Sequence, residues 1–338
     1  MDSAIHTSYF VTDRSYFSLL KKDINKRAIE AGFNAKKLGE LDIIVSEMTS
    51  NLLKYADKGE LLMCIAGEKN NEYLELIYID NGPGISDPER MLVDGMSTAS
   101  TTGHGLGSIK RLSDFFEIYS MRGWGTIMLC RIFKNAAPKI KIKPKHFLLR
   151  SLIVAKPGET VSGDGNTYKL TSDYFKLLVV DGLGHGVDAH QATVEACSAF
   201  NLCIDNDPVE IIRFIHNSIK KTRGAVGTVV VYDIRNKLWK IAGVGNISTR
   251  MMSYVDTRNF MSYNGIIGHN MPATMKSQDV SAVELQQIIL CSDGLKAKWD
   301  SHTYPGINKY DLSVLAAALY KDYAGKTDDM SVVVGKVY

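Results

Sequence analysis

In each half of this chain an apolar strand runs straight into an aspartate that is followed by closely spaced glycines. Tyr73–Ile79 leads into Asp80-Asn-Gly-Pro-Gly84, and Tyr174–Val180 leads into Asp181-Gly-Leu-Gly-His-Gly186. A strand that ends in a carboxylate and a glycine turn aims one acid at one place, because the turn is too tight for bulkier residues. Between the halves, residues 135–146 place two prolines around a lysine-rich stretch with no helical period, as an exposed connector would. At 338 residues the chain exceeds one ordinary compact domain. We therefore expect domains at 1–134 and 147–338, with 135–146 as the linker.

Periodicity fills in both halves. Leu38, Leu41, Ile44, Val45, Met48 and Leu52 recur at three and four residues and predict a helix over 35–56 with one buried face. Leu61–Ala66 and Tyr73–Ile79 read as strands, Leu106–Phe116 as a short helix, and 116–120 with 126–133 as a hairpin around Arg122-Gly-Trp-Gly125. The second half alternates apolar strands at 150–155, 174–180, 226–234, 237–243, 285–291 and 330–337 with helical patterns near 188–202, 208–221 and 311–322. The expected class is α/β in both domains.

Composition excludes several functions. A net charge of +3 is too small to argue for nucleic acid or a membrane surface. No apolar run approaches the ~20 residues that span a bilayer, and residues 1–10 lack the basic flank and apolar core of a signal peptide. The five cysteines (Cys64, Cys130, Cys197, Cys203, Cys291) form no Cys-x-x-Cys pair and read as reduced core residues of a cytoplasmic protein.

Three signals in the first half belong together. Glu47 and Asn51, four apart on the expected helix, project from one face. A carboxylate and an amide there can hold Mg²⁺ through oxygen or water, and the carboxylate can polarise a nucleophile. Asp80, at a strand end, can accept a hydrogen bond from the amino group of adenine, with Gly82 and Gly84 turning the backbone around the base. Gly103, Gly105 and Gly107 open a helix whose free N–H groups favour phosphate. In this order the three resemble the N, G1 and G2 boxes of the GHKL (Bergerat-fold) ATPase superfamily. Residues 51–60, Asp94-Gly-Met-Ser-Thr98 and 105–112 are similar to the RsbT-like serine kinases of the anti-sigma and stressosome group. That resemblance covers nearly all of 5–133. It implies a Bergerat α/β sandwich (a mixed sheet with helices on one face), ATP and Mg²⁺, and transfer to Ser or Thr of a STAS-domain partner. Glu47 would be base or metal organiser, Asn51 the Mg²⁺ ligand, Asp80 the adenine contact, and Ser97–Thr102 a short polar lid.

The second half carries aspartates at expected strand ends or turns: Asp164, Asp181, Asp293, Asp328 and Asp329. Buried strands that aim acids at one rim repel unless a cation lies between them, and an oxygen-only donor set suits Mg²⁺ or Mn²⁺. Two such ions could orient a water for in-line attack on phosphorus. Gly163-Asp164, Val180-Asp-Gly-Leu-Gly-His-Gly186, residues 223–228, Val244-Gly-Asn-Ile247, Cys291-Ser-Asp-Gly-Leu295 and Asp328-Asp-Met-Ser331 resemble the SpoIIE/RsbX branch of the metal-dependent PPM phosphatases. The resemblance covers about 150–338 and implies an α-β-β-α sandwich. Asp181 would bridge two metals, the Gly182 carbonyl would ligate one, Asp293 and Asp328 would complete the core, and Asp164 and Asp329 would be outer or second-metal ligands. Many relatives place a histidine directly after the Asp-Gly pair. Leu183 stands there, and His185 reads as a turn residue.

The expected activity is a bifunctional bacterial signalling switch that phosphorylates Ser/Thr of a STAS-domain regulator and removes that phosphate. The alternative is a phosphatase whose N-terminal ATP domain only binds a partner, such as a sigma factor or downstream regulator, or senses nucleotide. The oligomeric state is open, a homodimer being one outcome.

Overall fold

The computed structural model describes residues 4–11, 15–55, 59–67, 70–91, 105–135, 147–253, 256–282, 286–296 and 298–337. It divides into two compact units. One consists of His6–Ile142 with Tyr304–Ala318, the other of Met1–Ile5, Lys143–Thr303 and Leu319–Tyr338.

The first unit begins with β1 (Thr7–Val11), α1 (Ser15–Glu30), α2 (Ala35–Tyr55), β2 (Gly59–Ala66) and β3 (Tyr73–Asp80). It continues through α3 (Pro88–Met91), α4 (Gly105–Leu112), β4 (Phe115–Met121) and β5 (Gly125–Phe133). Its sheet runs β1-β2-β3-β5-β4. Every pairing in it is antiparallel, so the expected mixed sheet is corrected. The helical crossover after β3 does make β3 and β4 run the same way, but the β4–β5 hairpin folds β5 in between them. The periodic face of α2 is buried as expected: Leu41, Ile44, Met48 and Leu52 pack with Leu20 and Ile24 of α1 against Met63, Leu76, Tyr78 and Met128. Helix α1 has no counterpart in the sequence reading.

Side chains alternate across a sheet, so the other face carries Cys64, Glu75 and Arg131, all buried. Arg131 donates from Nε to Glu75 Oε2 at 2.6 Å. Its two terminal nitrogens donate to the two oxygens of Asp311 at 2.9 Å each, and Nη2 also donates to Ser313 Oγ at 2.9 Å. The rings of Tyr73 and Phe115 lie 5.3 and 4.9 Å from the guanidinium carbon. Asp311 is fixed in turn by its own N–H, which donates to Glu117 Oε2 at 2.7 Å. Residues 304–318 are therefore an integral part of this unit.

The second unit contains β6 (Phe147–Val154), β7 (Asp164–Leu170), β8 (Tyr174–Gly182), α5 (Val187–Leu202), α6 (Pro208–Ser218), β9 (Ala225–Asp233) and β10 (Leu238–Val244). After these come β11 (Ser248–Met252), β12 (Thr257–Phe260), β13 (Gln278–Ser281), β14 (Gln287–Cys291), α7 (Leu312–Tyr323) and β15 (Met330–Val337). The chain passes from one unit to the other within α7. Two antiparallel sheets form, β13-β10-β9-β8-β7 and β12-β11-β14-β15-β6. Phe175, Leu177, Val230 and Trp239 of the first pack against Phe147, Ile288, Leu290 and Val333 of the second. The outer face of the first sheet, Leu178, Val180 and Val229, is covered by Ala196 and Phe200 of α5 and by Ile211, Ile212 and Ile215 of α6. The near-continuous apolar runs of β8 and β9 follow from burial on both faces.

Truncating Asp311 would leave the Arg131 guanidinium buried with half its compensation gone, which costs about 3–5 kcal/mol. Asp311→Ala should therefore destabilise the first unit by that amount, although it lies 180 residues from Arg131 in sequence. Denaturant unfolding followed by Trp124 fluorescence checks this.

Candidate active sites

The second unit assembles its acids by strand register. In the β7–β8 ladder Asp164 stands directly opposite Asp181, which places the two side chains on one face about 4.5–5.5 Å apart at Cβ. Asp293 follows β14 in a turn, and Asp328 and Asp329 immediately precede β15. Gly182 closes β8 where a side chain would overlap the Ala189 carbonyl of α5, and Gly184 and Gly186 turn the chain at φ +84° and +77°.

Asp164 is 2% exposed. Its Oδ2 accepts from Ser292 Oγ at 2.5 Å, while its Oδ1 is buried with no hydrogen-bond partner among the described residues. Burial is the main influence on its carboxyl and pushes it up to about 7, with the Ser292 hydrogen bond opposing the shift and Asp329 adding to it. Asp181 is pushed up to about 9, first by burial and then by the charges of Asp164, Asp293, Asp328 and Asp329. The other four sequence-nominated aspartates thus all act on Asp181. Gly182 adjoins them at the end of β8.

The five differ in engagement. Asp329 accepts the N–H of Lys156 at Oδ1 and of Gly163 at Oδ2, both at 2.8 Å, so it pins the loop that leads into β7. Asp328 Oδ1 accepts the Asp329 N–H at 2.9 Å. Asp293 is exposed and accepts from Asn246 Nδ2 at 2.8 Å. Ser292 bridges the sheets, since its Oγ also accepts the Ser331 N–H at 2.9 Å. The roles of Ser292 and Asn246 are absent from the sequence reading, although both residues sit inside quoted motifs. Glu159 is missed as well: its Oε1 lies 2.7 Å from His185 Nδ1 at the glycine turn, and nothing in its local sequence signals it.

These residues fit divalent cations. The donors are oxygens, the carboxylates are mutually repulsive, and one buried carboxylate oxygen has no partner.

In the first unit, Glu47 and Asn51 lie one turn apart on α2. The Glu47 carboxylate reaches the start of α4, where a Cβ on Gly105 would stand 2.7 Å from Oε2. Asp80 ends β3, 5% exposed, and its Oδ1 accepts the N–H groups of Gly82 at 2.8 Å and Thr126 at 3.0 Å. A side chain on Gly82 would overlap the Tyr55 carbonyl, and one on Gly84 (φ +71°) the Met121 carbonyl. The Asp80–Gly84 turn is thereby wedged between the end of α2 and the β4–β5 hairpin. Gly107 is buried within α4. Gly103, residues 94–98 and the lid Ser97–Thr102 lie outside the described residues.

Two stacked antiparallel sheets with aspartates gathered at their strand ends define a PPM-type phosphatase fold in the second unit. Residues 171–337 match the family described as Stage II sporulation protein E (SpoIIE). The N-terminal part is 35% identical over 99 residues to the serine/threonine-protein kinase RsbT of Bacillus subtilis (strain 168), an alignment covering 29% of this chain and 74% of that protein. The chain belongs to the RsbT family through its N-terminal part and carries a SpoIIE-type PPM phosphatase domain after it. Among solved structures, one described as the bacterial stressosome, a modular system adapted to control secondary messenger signaling, is similar at TM-score 0.53. It has 26% identity over 56% of this chain and 98% of that chain. RsbX in complex with magnesium is similar in fold at TM-score 0.52, with 19% identity over 58% of this chain and 98% of that chain.

The raised carboxyls set a pH dependence. Asp164 and Asp181 hold protons to about 7 and about 9 in the folded state, against an ordinary 3.8. Between those values the native state binds more protons than the unfolded chain, so stability falls as pH rises through that window. The unfolding midpoint of chelator-treated protein should drop between about pH 5 and about pH 8. Asp181→Asn should flatten the drop, as calorimetry across that range would show.

Proposed function

We propose that this chain is a bifunctional signalling enzyme: the N-terminal region phosphorylates Ser or Thr of a STAS-domain protein with ATP, and the C-terminal region removes phosphate from Ser or Thr. The observation that carries the phosphatase half is the opposed Asp164–Asp181 pair, with one buried oxygen left unsatisfied. The RsbT likeness supports the kinase half, together with the Glu47 carboxylate set at the start of α4. Homology to RsbT and the stressosome likeness support a STAS-type partner and partner switching. The proposed domain limits are 1–134 and 147–338 with 135–146 as linker, amended in that residues 304–318 pack in the first unit. Five buried cysteines that form no disulfide suit a reducing compartment.

In the phosphatase half, Asp181, the Gly182 carbonyl, Asp293 and Asp328 would hold two Mg²⁺ or Mn²⁺ ions, with Asp164 and Asp329 as outer ligands. Bound there, the ions neutralise the carboxylates and supply Lewis-acid chemistry for in-line attack of water on phosphorus. Ser292 fixes the rotamer of Asp164 through its 2.5 Å hydrogen bond, and Asp329 holds the 156–163 loop so that Asp164 enters β7 in register. Asn246 orients Asp293 at the exposed side. His185, braced by Glu159, lies at the glycine turn three residues beyond Gly182.

In the kinase half, Glu47 would act as base or metal organiser, Asn51 as the Mg²⁺ ligand, and Asp80 as the adenine contact. Gly82, Gly84, Gly103, Gly105 and Gly107 would shape the nucleotide cleft. The hydrogen bonds from Gly82 and Thr126 hold the Asp80 carboxylate in one orientation, which a hydrogen bond to a base edge requires. Glu47 would take a proton from an incoming hydroxyl, and general base catalysis of this kind contributes about 10²–10⁴-fold.

The test is phosphotransfer from radiolabelled ATP with Mg²⁺ to a purified STAS-domain protein. Label should accumulate when Asp181→Ala removes the phosphatase, and Glu47→Ala should lower the transfer by about 10²–10⁴-fold. Absence of label in every variant across a range of STAS proteins would overturn the kinase half. The N-terminal region would then be a nucleotide-gated binding or sensing module on a phosphatase.

A further inference from the structure

The sheet of the first unit carries a row of polar side chains that the proposed reactions do not use. Thr7 pairs with Met63, so extending the β1–β2 register by one residue sets His6 opposite Cys64. Cys64 pairs with Glu75 in the β2–β3 ladder, and Glu75 pairs with Arg131 in the β3–β5 ladder. Cross-strand partners share a face, and the four form one line across the sheet. His6, Cys64, Glu75 and Arg131 are 2%, 3%, 4% and 4% exposed.

We propose that His6, Cys64 and Glu75 form a zinc site, separate from the aspartate centre, that clips the edge strand β1 to β2 and β3. A ring nitrogen of His6, the sulfur of Cys64 and a carboxylate oxygen of Glu75 all lie within 4.8 Å of one another. His6 Nε2 stands 3.3 Å from Glu75 Oε1, and His6 Nδ1 is buried with no hydrogen-bond partner among the described residues. Cys64 is the group beside the ring, but no well-formed hydrogen bond reaches Nδ1, and a buried ring nitrogen in that state is costly. Sulfur, imidazole nitrogen and one carboxylate oxygen make a borderline-soft donor set that suits Zn²⁺ and not Mg²⁺.

The charges also balance. Arg131 takes Glu75 Oε2 but is itself matched by the two oxygens of Asp311, so Glu75 Oε1 remains directed at His6. Without metal, the His6 imidazolium is the cation in this pocket. Burial lowers its affinity for the proton, but Cys64 and Glu75 outweigh burial and raise it to about 10. With metal, Zn²⁺ would be neutralised by the Cys64 thiolate and the Glu75 carboxylate with His6 as the neutral ring, the protons of His6 and Cys64 both leaving to solvent. The pocket thus exchanges one cation for another without stranding a buried charge.

Co²⁺ added to the full chain in saturating Mg²⁺ provides the test, since a thiolate ligand gives Co²⁺ a near-ultraviolet charge-transfer band and the aspartate centre contains no sulfur. One equivalent should produce that band together with visible d–d bands, and Zn²⁺ should abolish both. Cys64→Ser should remove the near-ultraviolet band, and His6→Gln, at the sheet edge, should weaken Co²⁺ affinity at least tenfold. No thiolate band in the wild-type chain overturns the proposal, whatever the variants do. A band that survives in Cys64→Ser overturns it too, because the metal is then adventitious on another cysteine. Failure here leaves the kinase and phosphatase readings untouched, as none of their residues is involved.

Discussion

Everything in the phosphatase-type unit depends on the register of β7 against β8. The apolar faces of β8 are buried on both sides, by the facing sheet and by α5 and α6. A one-residue slip would turn every side chain to the wrong layer. With the register fixed in this way, Asp164 and Asp181 cannot separate, and their repulsion is carried by the packing energy of the two cores. Protons or cations are the available relief. A fold of this kind stores an unfavourable contact at its rim and leaves a ligand to discharge it, which is how a rigid scaffold acquires affinity for a divalent ion.

The N-terminal unit solves a different problem with the same element types. Its helices cover one face of an antiparallel sheet, and α2 brings Glu47 to the first residue of α4. Close backbone approaches at Gly82 and Gly84 hold the strand-end turn against α2 and the hairpin, so Asp80 is held by neighbouring backbone and not by its own loop alone. The second face of that sheet is unusual for its polarity. Its buried ions are tolerable because each is matched: Arg131 by Glu75 and Asp311, and Glu75 by Arg131 and His6. Burial would raise the Glu75 carboxyl, but Arg131 and His6 hold it at about 2.

Much of this was legible in the sequence where a signal is local. The helix expected over 35–56 spans Ala35–Tyr55, and the hairpin around Arg122-Gly-Trp-Gly125 joins Phe115–Met121 to Gly125–Phe133. The strands leading into Asp80 and Asp181 end at those residues or one beyond, because a buried apolar run bounded by a glycine turn has few alternatives. The five aspartates converge as their strand-end placement implied. What escaped the sequence depends on distant partners. Helix α1, Ser15–Glu30, alternates too many charged residues to display a clean apolar stripe. Glu75 and Arg131 read as ordinary polar positions in strands until the pairing of β3 with β5 joins them. The expected mixed sheet failed because adjacency is decided by which hairpin inserts where, and strand direction alone does not reveal that.

The passage of residues 304–318 into the first unit has a consequence for how the chain is made. Arg131 leaves the ribosome 180 residues before Asp311 does. At about 5–20 residues per second, the sheet that carries Arg131 waits about 9–36 s for the acid that balances it. Throughout that interval most of the phosphatase-type sequence is emerging, and Arg131 has Glu75 as its acid but not yet Asp311. The last piece of the N-terminal unit, residues 304–318, is thus made only after the strands that bring in Asp164, Asp181 and Asp293 have been translated.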